Sequence, residues 1–153
     1  MTSAKHICTG AVLQCMDFRL RRKLADALEK HFPQEDYDLI SIAGGVQDLL
    51  REDWREFVFK QFDLSRKLHE PSLIVLVQHE DCGAYGGTAA FGDFERELKA
   101  HQDEIRRARV LLEARYPETR IEGYLFRLSG EMIPLHEGET LPSLTAEVLH
   151  EAQ

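Results

Sequence analysis

The chain has 153 residues, enough for one domain to bury a core without disulfide staples. Charged residues make up 30% and hydrophobic residues 43%, the balance of a soluble globular protein rather than a disordered chain. Lys and Arg number 19 against 27 Asp and Glu, and a net charge of -8 argues against nucleic acid or an anionic membrane as partner.

The apolar run 73–77 is too short to cross a bilayer. No basic-then-apolar leader opens the chain, so the cytoplasm is the expected compartment. Three cysteines, an odd number in a reducing compartment, point to metal binding or catalysis rather than structural disulfides. Nothing reads as a repeat or a linker, and a single domain over residues 1–153 is expected.

The first strand is predicted over 7–14, and a helix follows over 18–32. Leu20, Leu24, Leu28 and Phe32 recur at i, i+4 spacing, and Pro33 stops that helix. A second strand over 37–43 ends at Gly44 and Gly45. A second helix over 46–68 is predicted to show Val46, Leu50, Trp54, Phe57, Val58, Gln61 and Phe62 on one face. The third strand, 72–78, is continuous, apolar and rich in Val and Ile, as a strand buried on both faces should be. A glycine-rich stretch over 83–92 precedes a third helix over 94–115, closed by Pro117. Residues 121–128 and 132–135 read as a hairpin turning at 129–131, and the tail from 141 as a short helix.

Three β-then-α units and a hairpin predict a three-layer α/β domain. Its sheet is mostly parallel, in order 2-1-3-4 with an antiparallel edge strand, and is flanked by helices. In such sheets ligands bind beyond the carboxyl ends of the strands at which the chain reverses direction. Those places lie just after Gln14 and just after Gln78.

After Gln14 comes Cys15-Met16-Asp17-Phe18-Arg19, and after Gln78 comes His79-Glu80-Asp81-Cys82-Gly83. Two thiols and an imidazole are the ligand set of a catalytic zinc site with its fourth position left for water, and they suit zinc better than magnesium or calcium. Gly83 lets backbone approach the site, and an Asp17–Arg19 pair keeps a carboxylate ionised and oriented beside the metal. The bland alternative is that Cys15 and Cys82 are small buried apolar residues and His79 an ordinary core or surface histidine.

C-x-D-x-R followed downstream by H-x-x-C-G, each after an apolar strand, resembles the β-class carbonic anhydrases, and the resemblance covers residues 7–135. Ala43-Gly44 is similar to the family's A-G turn, and residues 121–130 to its closing hairpin. Ser41 and Ile42 stand where the family often has Arg-Asn. The resemblance implies zinc on Cys15, His79 and Cys82, and reversible hydration of carbon dioxide to bicarbonate by zinc-bound hydroxide. It implies that Asp17, held by Arg19, orients the hydroxide, or becomes a fourth ligand in a closed state. It further implies that the Gly83 amide holds a substrate oxygen, and that the chain is a homodimer or higher homo-oligomer.

Other readings stay open at this point. The same motif serves a hydrolase of carbonyl sulfide or carbon disulfide, or a weakly catalytic zinc-binding regulatory protein. Thiol redox chemistry through Cys15 and Cys82 fits less well, because no C-x-x-C is present. Cys8, inside the predicted first strand, is expected to pack in the core. His6, His31, His69, His101, His136 and His150 have no positional argument, and Tyr85 is a candidate pocket wall. Glu80 and Asp81 read as loop residues, with Asp81 a candidate helix cap.

Overall fold

Five strands build the sheet: β1 (Gly10–Gln14), β2 (Tyr37–Ser41), β3 (Leu73–His79), β4 (Arg120–Phe126) and β5 (Met132–Pro134). The structure, a computed structural model, describes residues 5–34 and 36–135. The strand order is β2-β1-β3-β4-β5. The first four strands run parallel, and β5 pairs antiparallel with β4. This is the predicted order and the predicted antiparallel edge.

Helices α1 (Arg21–His31), α2 (Arg55–His69), α3 (Thr88–Phe91) and α4 (Phe94–Arg115) complete the fold. Side chains alternate across β1 and β3, so each face of the sheet collects its own core. Val12, Val75, Val77 and Phe126 meet Leu20, Leu24, Leu28 and Phe32 on the α1 side, and all eight are at most 1% exposed. Burying each such side chain contributes about 1.5–3 kcal/mol. Ala11, Leu13, Ile74 and Leu76 meet Val58 and Phe62 of α2 and Ile105 and Leu112 of α4 on the other side. Helix α4 sits tight on β4 because Gly123 has no side chain: a Cβ there would stand 2.3 Å from Ile105 Cγ2.

Three elements differ from expectation. β1 starts at Gly10, because residues ahead of it are held by other partners: Cys8 N–H donates to the His69 carbonyl (2.9 Å) and Thr9 N–H to the Asp36 carbonyl (2.9 Å). Cys8 therefore lies outside the strand, half-buried, and is absent from both cores. The predicted helix over 46–68 is two pieces, a 3-10 helix Gly45–Leu50 and α2, separated by an extended Arg51. The Arg55 guanidinium takes the Leu49 and Leu50 carbonyls that the break frees (2.9 and 3.4 Å). The break rotates the apolar face: Val46, Leu49, Val58, Phe59 and Phe62 are buried, while Trp54 and Phe57 are 51% and 52% exposed. Finally, the glycine-rich stretch contains a 3-10 turn Gly83–Tyr85 and the short α3.

The expected tail helix from 141 lies outside the described residues. No helix among the described residues is long and apolar enough to cross a membrane.

Candidate metal centre

The chain leaves β1 for β2 on one side and β3 for β4 on the other, so the carboxyl ends of β1 and β3 flank a crevice. Cys15 follows β1, His79 ends β3, and Cys82 closes the next turn. These side chains are 6%, 1% and 2% exposed. One ligand atom from each lies within 4.8 Å of the other two.

Backbone beyond the strands shapes the crevice. Strand pairing continues past β1, with Ile42 N–H on the Gln14 carbonyl (3.0 Å) and Met16 N–H on the Ile42 carbonyl (3.2 Å). That brings Gly44 over Cys15, and its N–H donates to the sulfur at 3.4 Å. Gly44 has φ +76°, a left-handed backbone that glycine adopts at little cost, which accounts for the A-G pair at this turn.

The donor set fits a zinc ion. His79 Nδ1 donates to the Glu80 carbonyl (2.7 Å), which fixes the tautomer and leaves Nε2 as a lone-pair donor. Nε2 is buried without a hydrogen-bond partner among the described residues. The Cys15 and Cys82 sulfurs are 3.9 Å apart. Two sulfurs about 2.3 Å from one tetrahedral ion stand about 3.8 Å apart.

The two thiols push each other's ionisation in opposite directions. The Cys82 contact, helped by His79 and the Gly44 amide, outweighs burial and holds the Cys15 thiol down at about 4. The same contact, then burial, pushes Cys82 up. Burial alone would lower His79, but the facing Cys15 thiolate leaves its pKa raised.

Beside the trio, Asp17 is clamped by Arg19: Nη2 to Oδ2 at 2.7 Å, Nε to Oδ1 at 3.1 Å, and the Arg19 amide to Oδ1 at 2.9 Å. These bonds hold the Asp17 carboxyl at about 2, although partial burial opposes them. Asp17 Oδ2 stands 3.8 Å from His79 Nε2. Gly83 opens the 3-10 turn, and a Cβ placed on it would meet nothing within 4 Å. Cys15, Asp17, Arg19 and Gly83 line one surface cleft of about 770 Å³, with Met16 and Phe18 also on its wall.

Other polar residues brace the site or lie apart from it. Asp81 accepts from Arg19 Nη1 (3.1 Å) and from the Thr88 amide (3.0 Å), which ties the Asp17 clamp to the start of α3, whereas the N-cap positions of the 3-10 turn and of α3 are Cys82 and Gly87. Glu97, fully buried on α4, accepts from the Asp81 amide (2.8 Å) and the Thr88 hydroxyl (2.9 Å). Tyr85 lies behind the cleft, where it accepts from Gln78 (2.9 Å) and donates to Glu104 (3.1 Å). Glu80 is a structural partner of Arg127 (3.0 Å). His101 is fully buried against Tyr85 and held neutral by that burial, its pKa lowered to about 4. His31 pairs with Glu122 and His69 with Asp38, both away from the cleft, and His136 and His150 lie outside the described residues.

A family model described as "Putative carbonic anhydrase" matches residues 5–133. An uncharacterized protein of Rickettsia bellii is 24% identical over 132 residues, 82% of this chain and 80% of that one. One of Rickettsia conorii is 27% identical over 133 residues, 82% of this chain and 71% of that one. Among solved structures, a tetrameric β-carbonic anhydrase of Sordaria macrospora superposes with TM-score 0.63 at 14% identity, over 86% of this chain and 82% of that one. A β-carbonic anhydrase of Trichomonas vaginalis gives 0.51 at 17% identity, over 91% and 90%. The fold is that of the β-carbonic anhydrases.

Proposed function

From the premise that the chain belongs to the carbonic anhydrase family whose model spans residues 5–133, we propose that it hydrates carbon dioxide reversibly to bicarbonate with zinc held by Cys15, His79 and Cys82. The observation that carries this reading is the buried, unpartnered Nε2 of His79 facing two thiols 3.9 Å apart, beside a clamped carboxylate. Zinc bound there lowers the pKa of its water to about 7, which supplies a nucleophile at neutral pH.

The chain's own residues do the rest. Cys15 and Cys82 contribute thiolates, and the Gly44 N–H stabilises the first of them. Asp17, ionised down to about pH 2, can only accept a hydrogen bond near neutrality. It would therefore accept a hydrogen bond from the attacking oxygen and so turn a lone pair of that oxygen toward carbon dioxide in the cleft. Arg19, itself tied to Asp81, would keep Asp17 ionised and oriented in that role. The Gly83 amide, on the cleft wall with open space above its Cα, holds an oxygen of substrate or product.

Stopped-flow hydration on protein carrying zinc tests the reading. Turnover that rises with pH through about 7 supports it, and zinc-loaded protein without turnover overturns it.

Self-association belongs to the same proposal. Trp54 at the N-cap of α2 and Phe57, Leu64 and Leu68 along it recur at heptad-like spacing and are 42–55% exposed. We place the contact between copies of the chain on that stripe. Light scattering should show a homo-oligomer that Trp54→Glu with Phe57→Glu shifts to monomer. A monomeric wild-type chain contradicts this part of the proposal.

A further inference from the structure

We propose that the chain carries a second metal site, for a borderline divalent ion such as zinc, built from Cys8, Asp38 and His69 at the opposite end of the sheet. Cys8 lies ahead of β1, Asp38 is the second residue of β2, and His69 is the last residue of α2. One ligand atom of each lies within 4.8 Å of the other two. The length of β1, about 16 Å at the usual strand rise, separates this cluster from Cys15.

The three residues are held together by bonds that point to a built cluster. Cys8 N–H donates to the His69 carbonyl at 2.9 Å, joining the chain before β1 to the end of α2. Asp38 Oδ2 takes the Ser65 hydroxyl (2.7 Å) and sits 2.7 Å from His69 Nδ1. A thiolate, an imidazole and a carboxylate select zinc over magnesium or calcium, and three protein ligands leave a fourth position for water. Bond lengths of about 2.0–2.3 Å bring ligand atoms to about 3.2–3.8 Å of each other.

The Cys8 thiol donates to the Gly10 carbonyl at 3.3 Å, and burial together with Asp38 raises its pKa. Without metal it keeps its proton and is a poor nucleophile, which counts against a redox role. Metal binding displaces that proton, so affinity rises with pH. An ion here ties the segment before β1 to both β2 and α2, away from the cleft.

The test is metal analysis of the full-length, reduced chain after zinc loading and gel filtration. Wild type should hold two zinc ions and Cys8→Ser one. Cys82→Ser, with the first site disabled, should still hold one, and adding Cys8→Ser or His69→Gln to it should remove that ion. Cobalt(II) in Cys82→Ser should show a thiolate charge-transfer band that Cys8→Ser abolishes. Circular dichroism confirms that each variant is folded, and His69→Gln leaves the Cys8 backbone bond to residue 69 in place. Equal zinc content in wild type and Cys8→Ser, or no zinc in folded Cys82→Ser, overturns the proposal.

Discussion

The two ends of the sheet hold clusters of similar chemistry in different states of readiness. At the carboxyl end, Cys15, His79 and Cys82 are at most 6% exposed, and His79 Nε2 has no other partner among the described residues. At the amino end, Cys8, Asp38 and His69 are half-buried, and His69 and Asp38 satisfy each other at 2.7 Å. Ligand identity is comparable, but among the described residues only the first cluster keeps a buried imidazole nitrogen without a hydrogen-bond partner. The difference comes from backbone. Loops beyond β1, β2 and β3 converge at the carboxyl end, with left-handed Gly44 aiming an amide at sulfur. The amino end is built from strand starts and a helix terminus, which offer fewer oriented amides. Only the carboxyl-end cluster sits beside a clamped carboxylate and an open cleft.

Substitutions that break this contrast rank by expected effect. Cys82→Ser should lose the zinc of the first site and reduce hydration at least roughly 10³-fold, as measured by metal analysis with stopped-flow assay; residual turnover near wild type contradicts the assignment. Asp17→Asn should keep that zinc and lose about 10²–10³-fold in turnover, because the amide no longer acts purely as an acceptor. Loss of zinc in that variant would instead make Asp17 a ligand.

Stability offers a third prediction, carried by the structural network around Glu122. Burial opposes ionisation of Glu122, but bonds from His31 and Tyr124 prevail and hold its pKa near 2, against an ordinary 4.5. A carboxyl with a depressed folded-state pKa adds stability that is full above 4.5 and fades as pH falls toward 2. Its side chain is only 6% exposed, so the effect is about 3 kcal/mol. The unfolding free energy from urea titrations should fall between pH 6 and pH 3 by about 2 kcal/mol less in Glu122→Gln than in wild type, the rest being lost only below pH 2, and an unchanged pH dependence contradicts the role. Smallest of all, Cys8→Ser should leave hydration within about twofold of wild type while removing one zinc per chain.

The fold was readable where a local pattern and a tertiary demand coincide. The run Leu73-Ile74-Val75-Leu76-Val77 announces a central strand, and Leu20, Leu24, Leu28 and Phe32 all reach the core as their spacing requires. Handedness leaves few topologies, and the commonest doubly wound order among them matches the observed sheet and points to Cys15 and His79. The break at Arg51 was hidden, because Val46, Trp54 and Phe57 are as apolar on a 3-10 turn or an exposed stripe as on a core face. The supports of the first site were hidden for another reason. Gly44 reads as a turn glycine and Asp81 as a loop residue or cap, but the contacts by which they support the site are distant in sequence, and Glu97 in a first helical turn looks like any solvated acid. The Cys8 cluster escaped likewise, since Asp38 and His69 form no motif with it until β2 and α2 are in place.

The most direct measurement is the hydration rate of wild-type chain against added zinc equivalents, starting from metal-free, reduced protein. Activity should rise linearly to one equivalent, level off while a second ion binds, and be absent from Cys82→Ser throughout. Zinc-loaded wild type that hydrates carbon dioxide no faster than Cys82→Ser contradicts the account.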